Sequence, residues 1–124
     1  QPQQNSSYAG MRQFRAFNEN CYLTAHAGET YDNIAREIGI SAHKLAKYNE
    51  RPEDAPLSEG EIVWLRKKQR HVPENFGKQY HTVRSNESLY DISQQYGVRL
   101  KNIMKANRKI VKRGIKAGDR VVLP

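Results

Sequence analysis

A single cysteine, Cys21, among 124 residues leaves no partner for an intramolecular disulfide and no thiol cluster for a metal. Asn18-Glu19-Asn20 ahead of it lacks the small and apolar residues of a lipoprotein anchor, so Cys21 reads as a small half-buried side chain. No apolar run approaches the length of a signal or membrane-spanning segment, so no membrane span is expected and no address is written in the chain. Four histidines (His26, His43, His71, His81) include no pair at short ligand spacing and no supporting Cys or Asp cluster. They are expected at the surface, and neither a metal nor a cofactor is expected. A glycosidase needs two carboxylates flanking a cleft. Glu29 with Asp32, and Glu87 with Asp91, instead fall at expected helix starts, where the helix dipole favours negative charge.

What the chain does have is an internal repeat. Residues 22–65 lie on residues 80–123 at a constant offset of 58 without a gap, with ten identities: Tyr22/Tyr80, Thr24/Thr82, Glu29/Glu87, Ile34/Ile92, Gly39/Gly97, Lys47/Lys105, Asn49/Asn107, Gly60/Gly118, Val63/Val121 and Leu65/Leu123. These fall on glycines, turn residues and periodic apolar sites, where geometry restricts the residue type. Two units of about 45 residues sit near the lower limit for a core without disulfides. So small a core favours a shallow binding surface over an enclosed active site.

Charge divides unevenly between the copies. Residues 22–65 carry four basic and eight acidic side chains, whereas residues 80–124 carry ten basic and three acidic. The connector 66–79 has five basic and one acidic. Two copies of one pattern with opposite fields argue against a shared ligand recognised mainly by charge.

Along the second copy, Tyr80-His81-Thr82-Val83-Arg84 reads as a strand and Ser85-Asn86-Glu87 as a turn. Asn86 stands where the first copy has Gly28, which predicts one shared left-handed position. Ser88 with Asp91 forms a variant capping box, repeated by Thr30 with Asn33. Leu89, Ile92 and Tyr96 share one helical face, and Gly97, like Gly39, ends that helix. A second helix places Leu100, Ile103 and Met104 on its apolar stripe, matched by Ala42, Leu45 and Ala46 after the Ser41 cap. An eight-residue loop, a Gly-acidic turn and a last strand complete each copy. The fold class expected is α+β: strand-helix-helix-strand, with both helices packed on one face of a two-stranded antiparallel sheet.

That order, with Tyr-x-Thr-Val-x-Ser-Asn-Glu-Ser-Leu-x-x-Ile, the Tyr-Gly-Val helix end, Ile-Met-x-x-Asn and Ile-x-x-Gly-Asp-x-Val-x-Leu-Pro, closely resembles the lysin motif, or LysM domain. Asn86, Glu87 and Ser88 replace the usual Gly-Asp-Thr. The first copy keeps Gly28-Glu29-Thr30 but has Tyr31 in the usual Leu place and an acidic, proline-containing loop. The resemblance implies binding of N-acetylglucosamine-containing glycans, peptidoglycan or chitin-like oligosaccharides, in a shallow groove between the loop after the first strand and the loop after the second helix. Carried over by position, the first groove comprises Ala27, Gly28, Glu29, Thr30 and Tyr31 facing Asn49, Glu50, Arg51 and Pro52. The second comprises Ser85, Asn86, Glu87, Ser88 and Leu89 facing Asn107, Arg108, Lys109 and Ile110. For Thr30, Ser88, Asn49 and Asn107 a capping or turn role competes with ligand contact. The resemblance also implies the cell envelope, periplasmic or extracellular, and a monomer is expected.

The domain reading that follows is a disordered linker over 1–11, a first LysM domain with an extra N-terminal strand over 12–66, a basic linker over 67–79 and a second LysM domain over 80–124. Arg12-Gln13-Phe14-Arg15-Ala16-Phe17 alternates polar with apolar and supplies the extra strand. A similar lead-in, basic connector and tandem pair occur at the C-terminal end of bacterial cell-wall glucosaminidases of the mannosyl-glycoprotein endo-β-N-acetylglucosaminidase type. The competing reading is a site for nucleic acid or anionic surface polymers on Arg66-Lys67-Lys68-Gln69-Arg70 and the second copy. Base-stacking aromatics are not interleaved with these cations and the first copy is acidic, so nucleic acid is not the expected partner.

Overall fold

The computed structural model describes residues 12–124, so the expected disordered linker over 1–11 lies outside the described residues. The chain divides into two compact units, the first ending at Lys67 and the second beginning at Lys68.

In the first unit, strand β1 (Arg15–Phe17) pairs antiparallel with β2 (Asn20–Thr24), which pairs antiparallel with β3 (Ile62–Trp64). The β1–β2 hairpin turns through Asn18 and Glu19, both at positive φ (54° and 55°), the backbone that a two-residue primed turn requires. Helices α1 (Tyr31–Ile38) and α2 (Ala42–Tyr48) lie between β2 and β3 in the chain. Thr30 and Asn33 exchange both bonds of a capping box, Gly39 ends α1 at φ 78°, and the Ser41 hydroxyl accepts from Lys44 N–H at the start of α2. Strand alternation turns Leu23 and its partner Val63 into a core with Tyr31, Ile34, Leu45 and Ala46.

The second unit repeats this frame with β4 (Tyr80–Thr82), α3 (Leu89–Tyr96), α4 (Leu100–Ala106), α5 (Arg108–Arg113) and β5 (Arg120–Val122). Strands β4 and β5 pair antiparallel with His81 opposite Val121. Ser88 and Asp91 form the capping box of α3, and Gly97 ends it at φ 63°. Ile92, Tyr96, Val98, Ile103 and Val121 fill the core.

Three expectations are corrected here. The loop foreseen after the second helix is helix α5 in this copy: Asn107 breaks the helical path (φ −132°, ψ 44°), and the following six residues hold no proline, whereas the first copy has Pro52 and Pro56. Met104, placed on the apolar stripe of α4, stays 38% exposed. The stretch 67–79, foreseen as a separate linker, belongs from Lys68 onward to the second unit. Its two apolar residues, Val72 and Phe76, pack on that core. Backbone bonds pin it along its length: Gln69 N–H to Gly97 O (2.9 Å), Arg99 N–H to Gln69 O (2.9 Å), Val72 N–H to Pro124 O (2.8 Å) and Leu123 N–H to Gln79 O (2.9 Å). Lys68 is buried, its Nζ donating to Gln94 Oε1 (2.7 Å) and Ser93 Oγ (3.2 Å).

Candidate glycan-binding loops

The loop after the first strand has the same architecture in both copies. Gly28 (φ 86°) and Asn86 (φ 64°) occupy the shared left-handed position. One residue on, a carboxylate folds back to hold the turn: Glu29 Oε1 accepts from His26 N–H (2.7 Å), and Glu87 Oε1 accepts from Arg84 N–H (2.9 Å). The turn also closes through backbone, Glu29 N–H to His26 O (3.0 Å) and Glu87 N–H to Arg84 O (3.2 Å). These identical residues are therefore braces of the loop.

Their charge is balanced by different means. In the first unit Arg12, 9% exposed, donates to Glu29 (2.6 Å), to Glu37 (2.9 Å) and to Thr24 O (2.9 Å). Burial works against the charged guanidinium, but Glu37 and Glu29 outweigh it and raise its pKa. In the second unit the partner is His81. This residue, foreseen at the surface, is 3% exposed because it takes the inward strand position that Leu23 holds in the first copy. Its Nε2 lies 2.8 Å from Glu87 Oε1 and its Nδ1 2.7 Å from the Tyr96 hydroxyl, which also accepts from Lys78 Nζ (2.7 Å). An ionised carboxylate only accepts, so Nε2 donates to Glu87. Gln95 Nε2 donates to Glu87 Oε2 at 2.5 Å. Burial of Glu87 pushes its pKa up, but the Arg84 N–H, His81 and Gln95 outweigh burial and hold it below the ordinary glutamate value.

Bracing leaves backbone amides unpaired at the loop tips. Among the described residues, Ser85 N–H and Asn86 N–H have no partner within the chain, nor has Gly28 N–H; Ala27 N–H donates to Glu59 (3.0 Å). Thr30 and Ser88 serve as helix caps. Tyr31 is wholly buried in the first core, and Leu89, half-buried, packs against the second.

The second loop starts from Asn49 or Asn107, whose side chains are committed inward. Asn49 Nδ2 donates to Leu45 O (2.8 Å) and Trp64 O (2.9 Å) while Oδ1 accepts from Trp64 N–H (2.7 Å). Asn107 makes the same three bonds to Ile103 O, Val122 O and Val122 N–H. Each amide ties the end of the second helix to the last strand. In the first unit the two loops are joined directly, Leu57 N–H donating to Glu29 O (3.2 Å), with Thr30 bridged to Pro56. A shallow depression of about 410 Å³ takes in Glu50, Arg51 and Pro52 together with His43 and Lys47 of α2, but none of residues 27–31. In the second unit Arg108 and Lys109 are exposed on the first turn of α5, and Ile110 is half-buried against the core. Arg12 and His81 are the residues that the repeat alone did not expose. Arg12 lies outside the repeated register, and the inward parity of His81 on its strand is the signal that was available.

Both units thus present a strand-helix-helix-strand frame with one braced loop and one amide-clamped loop. The LysM domain family matches residues 24–66 and 81–124, and the chain belongs to it as a tandem pair. LysM domains are binding rather than catalytic domains, take N-acetylglucosamine-containing glycans such as peptidoglycan, and occur in cell-wall-associated proteins. No curated protein matches the chain. Two solved structures are similar to it: the Bacillus cereus spore cortex-lytic enzyme SleL (23% identity, TM-score 0.34) and the Bacillus megaterium QM B1551 spore cortex-lytic enzyme SleL (26% identity, TM-score 0.33). Each match covers 83% of this chain and 22% of the other, so the chain corresponds to about a fifth of those proteins. Among the described residues no helix is long and apolar enough to cross a membrane.

Proposed function

We propose that the chain is a bivalent, non-catalytic anchor for peptidoglycan that holds an attached cell-wall hydrolase on its substrate. The observation that carries this reading is the pair of braced loops. In both copies a carboxylate consumes the amide at its base and leaves tip amides on exposed residues, Gly28 in one and Ser85 and Asn86 in the other, without a partner among the described residues. An N-acetyl group complements such a loop, since its carbonyl accepts from backbone N–H and its methyl needs only a small apolar contact. No charge is required, which suits two copies of opposite net charge.

Cosedimentation with purified peptidoglycan tests the anchor: the protein pellets with the wall and releases no reducing sugar. Failure to pellet, or release of sugar by a clean preparation, overturns it. The attached hydrolase is tested by reading the codons upstream of Gln1 in the parent gene, where a glucosaminidase or other peptidoglycan hydrolase is expected.

A further inference from the structure

The two copies differ most sharply in the wall that follows the second helix. At equivalent positions the first copy has Glu50 and Asp54 where the second has Arg108 and Lys112. The single cation of the first wall, Arg51, is spent on Glu61, and Glu53 faces His43 (3.4 Å). In the second copy the same brace to the Gly-acidic turn comes from another position, Arg113 reaching Asp119 at 2.8 and 3.1 Å. That substitution releases Lys109, which occupies the place of Arg51. Arg108, Lys109 and Lys112 are exposed and have no acidic partner among the described residues.

The first loop repeats the contrast. His26 stands beside Glu59 (3.6 Å), whereas its counterpart Arg84 extends an unpaired side chain. Both cationic elements are tied to one turn: Asp119 holds Arg113 of α5, and its backbone oxygen accepts from Val83 N–H (2.8 Å), next to Arg84. The second copy therefore frames its loops with cations on either side, and the first copy does not.

Resting on the glycan reading above, we propose that the two copies divide the polymer by charge: the second copy selects stretches that bear carboxylates, and the first takes neutral N-acetylglucosamine stretches. Peptidoglycan offers carboxylates of two origins that exclude each other on one sugar: the stem, amide-linked through the lactyl group, carries its own, and the lactyl carboxylate is free only where the stem has been removed. A chitin-like chain has neither.

The test uses the full chain and three probes: chitopentaose, peptidoglycan glycan strands stripped of peptide, and those strands with their lactyl carboxylates amidated. The variant Arg108→Gln/Lys109→Gln/Lys112→Gln alters only exposed side chains. It is expected to lose about tenfold in affinity for the stripped strands, the factor that three surface ion pairs of ordinary strength supply. Because Arg108 and Lys109 also border the groove, a smaller loss is expected on chitopentaose, and amidation lowers wild-type binding to the stripped strands by about the same tenfold factor. Strands that retain peptide stems, whose lactyl carboxyls are amide-linked, then show whether stem carboxylates replace the lactyl contribution. The converse variant Glu53→Lys/Asp54→Lys is expected to gain affinity for the stripped strands. If the triple variant loses equally on chitopentaose and on stripped strands, or on neither, the division by charge is wrong while glycan binding stands. If the wild-type chain binds none of the probes, the glycan reading fails and this inference with it.

Discussion

Asn49 and Asn107 show how a repeated polar residue is kept by packing. A side-chain amide has two donors and an acceptor to satisfy, and each of these spends them on one helix carbonyl and both backbone groups of a single strand residue. Asn49→Ala leaves Trp64 N–H and two carbonyls unpaired in a fully buried site, and is expected to cost about 2–4 kcal/mol in urea unfolding. Asn49→Asp is expected to cost more, because an anionic oxygen then faces the Leu45 and Trp64 carbonyls. A glycan-contact role predicts the reverse, unchanged stability with lost binding. Glu87 gives a prediction in pH. Its folded pKa lies below the unfolded value, about 4.3, so its contribution is complete above that value and is lost as pH falls through the lower folded value. The groups that face it are His81, Arg84 and Gln95, with Lys78 and Tyr96 behind His81. Urea midpoints measured from pH 7 to pH 3 are expected to decline less steeply in Glu87→Gln than in wild type, the difference developing only below about pH 4.3. At this scale the repeat pointed to Asn49, Asn107, Glu29 and Glu87, but not to Arg12 or His81. Whether each serves ligand or core depended on burial, which offset-matching of two copies does not reveal.

Secondary elements differ between the copies where the local chemistry differs. The caps, the left-handed turn and the helix-ending glycines were readable because each needs a particular residue at a particular place: Thr30 or Ser88, Gly28 or Asn86, Gly39 or Gly97. Helix α5 was not readable from the repeat, since the register aligned Arg108–Arg113 with a proline-containing stretch. Nor was the anchoring of residues 68–79, where Val72 and Phe76 are too few to outweigh the surrounding charges in a composition argument. Strand β1 was foreseen, but its use was not, because Arg12 just before it supplies the cation between Glu29 and Glu37. Arg12→Ala leaves two largely buried carboxylates without that cation, and is expected to destabilise the first unit by about 3 kcal/mol, the low end for breaking a buried pair. Amide hydrogen exchange localises the effect: protection falls in β2, α1 and α2 and stays unchanged in β4 and α3. A uniform loss across both units would show that Arg12 acts on something other than the first loop.

For the whole molecule the decisive question is why a shallow-loop domain is doubled. A loop that offers one or two backbone donors and no deep pocket binds weakly alone. A second loop on the same chain converts the next contact with a repetitive polymer into an intramolecular event, raising avidity by about 10²–10⁴ without new contacts. Full-chain variants separate the copies without cutting them apart. Gly28→Val places a β-branched residue at φ 86°, and Asn86→Val does the same at φ 64°, so each is expected to collapse its own loop tip. Either single variant should lose at least about tenfold on intact sacculi, yet still bind a short chitooligosaccharide through its intact copy, more weakly when that copy is the second. On sacculi Asn86→Val should be the more damaging of the two, since its loop offers two free N–H groups, Ser85 and Asn86, against the one of Gly28. The double variant should bind neither probe. If either single variant holds sacculi as tightly as the wild-type chain, one copy carries all the binding, and the doubling serves something other than avidity.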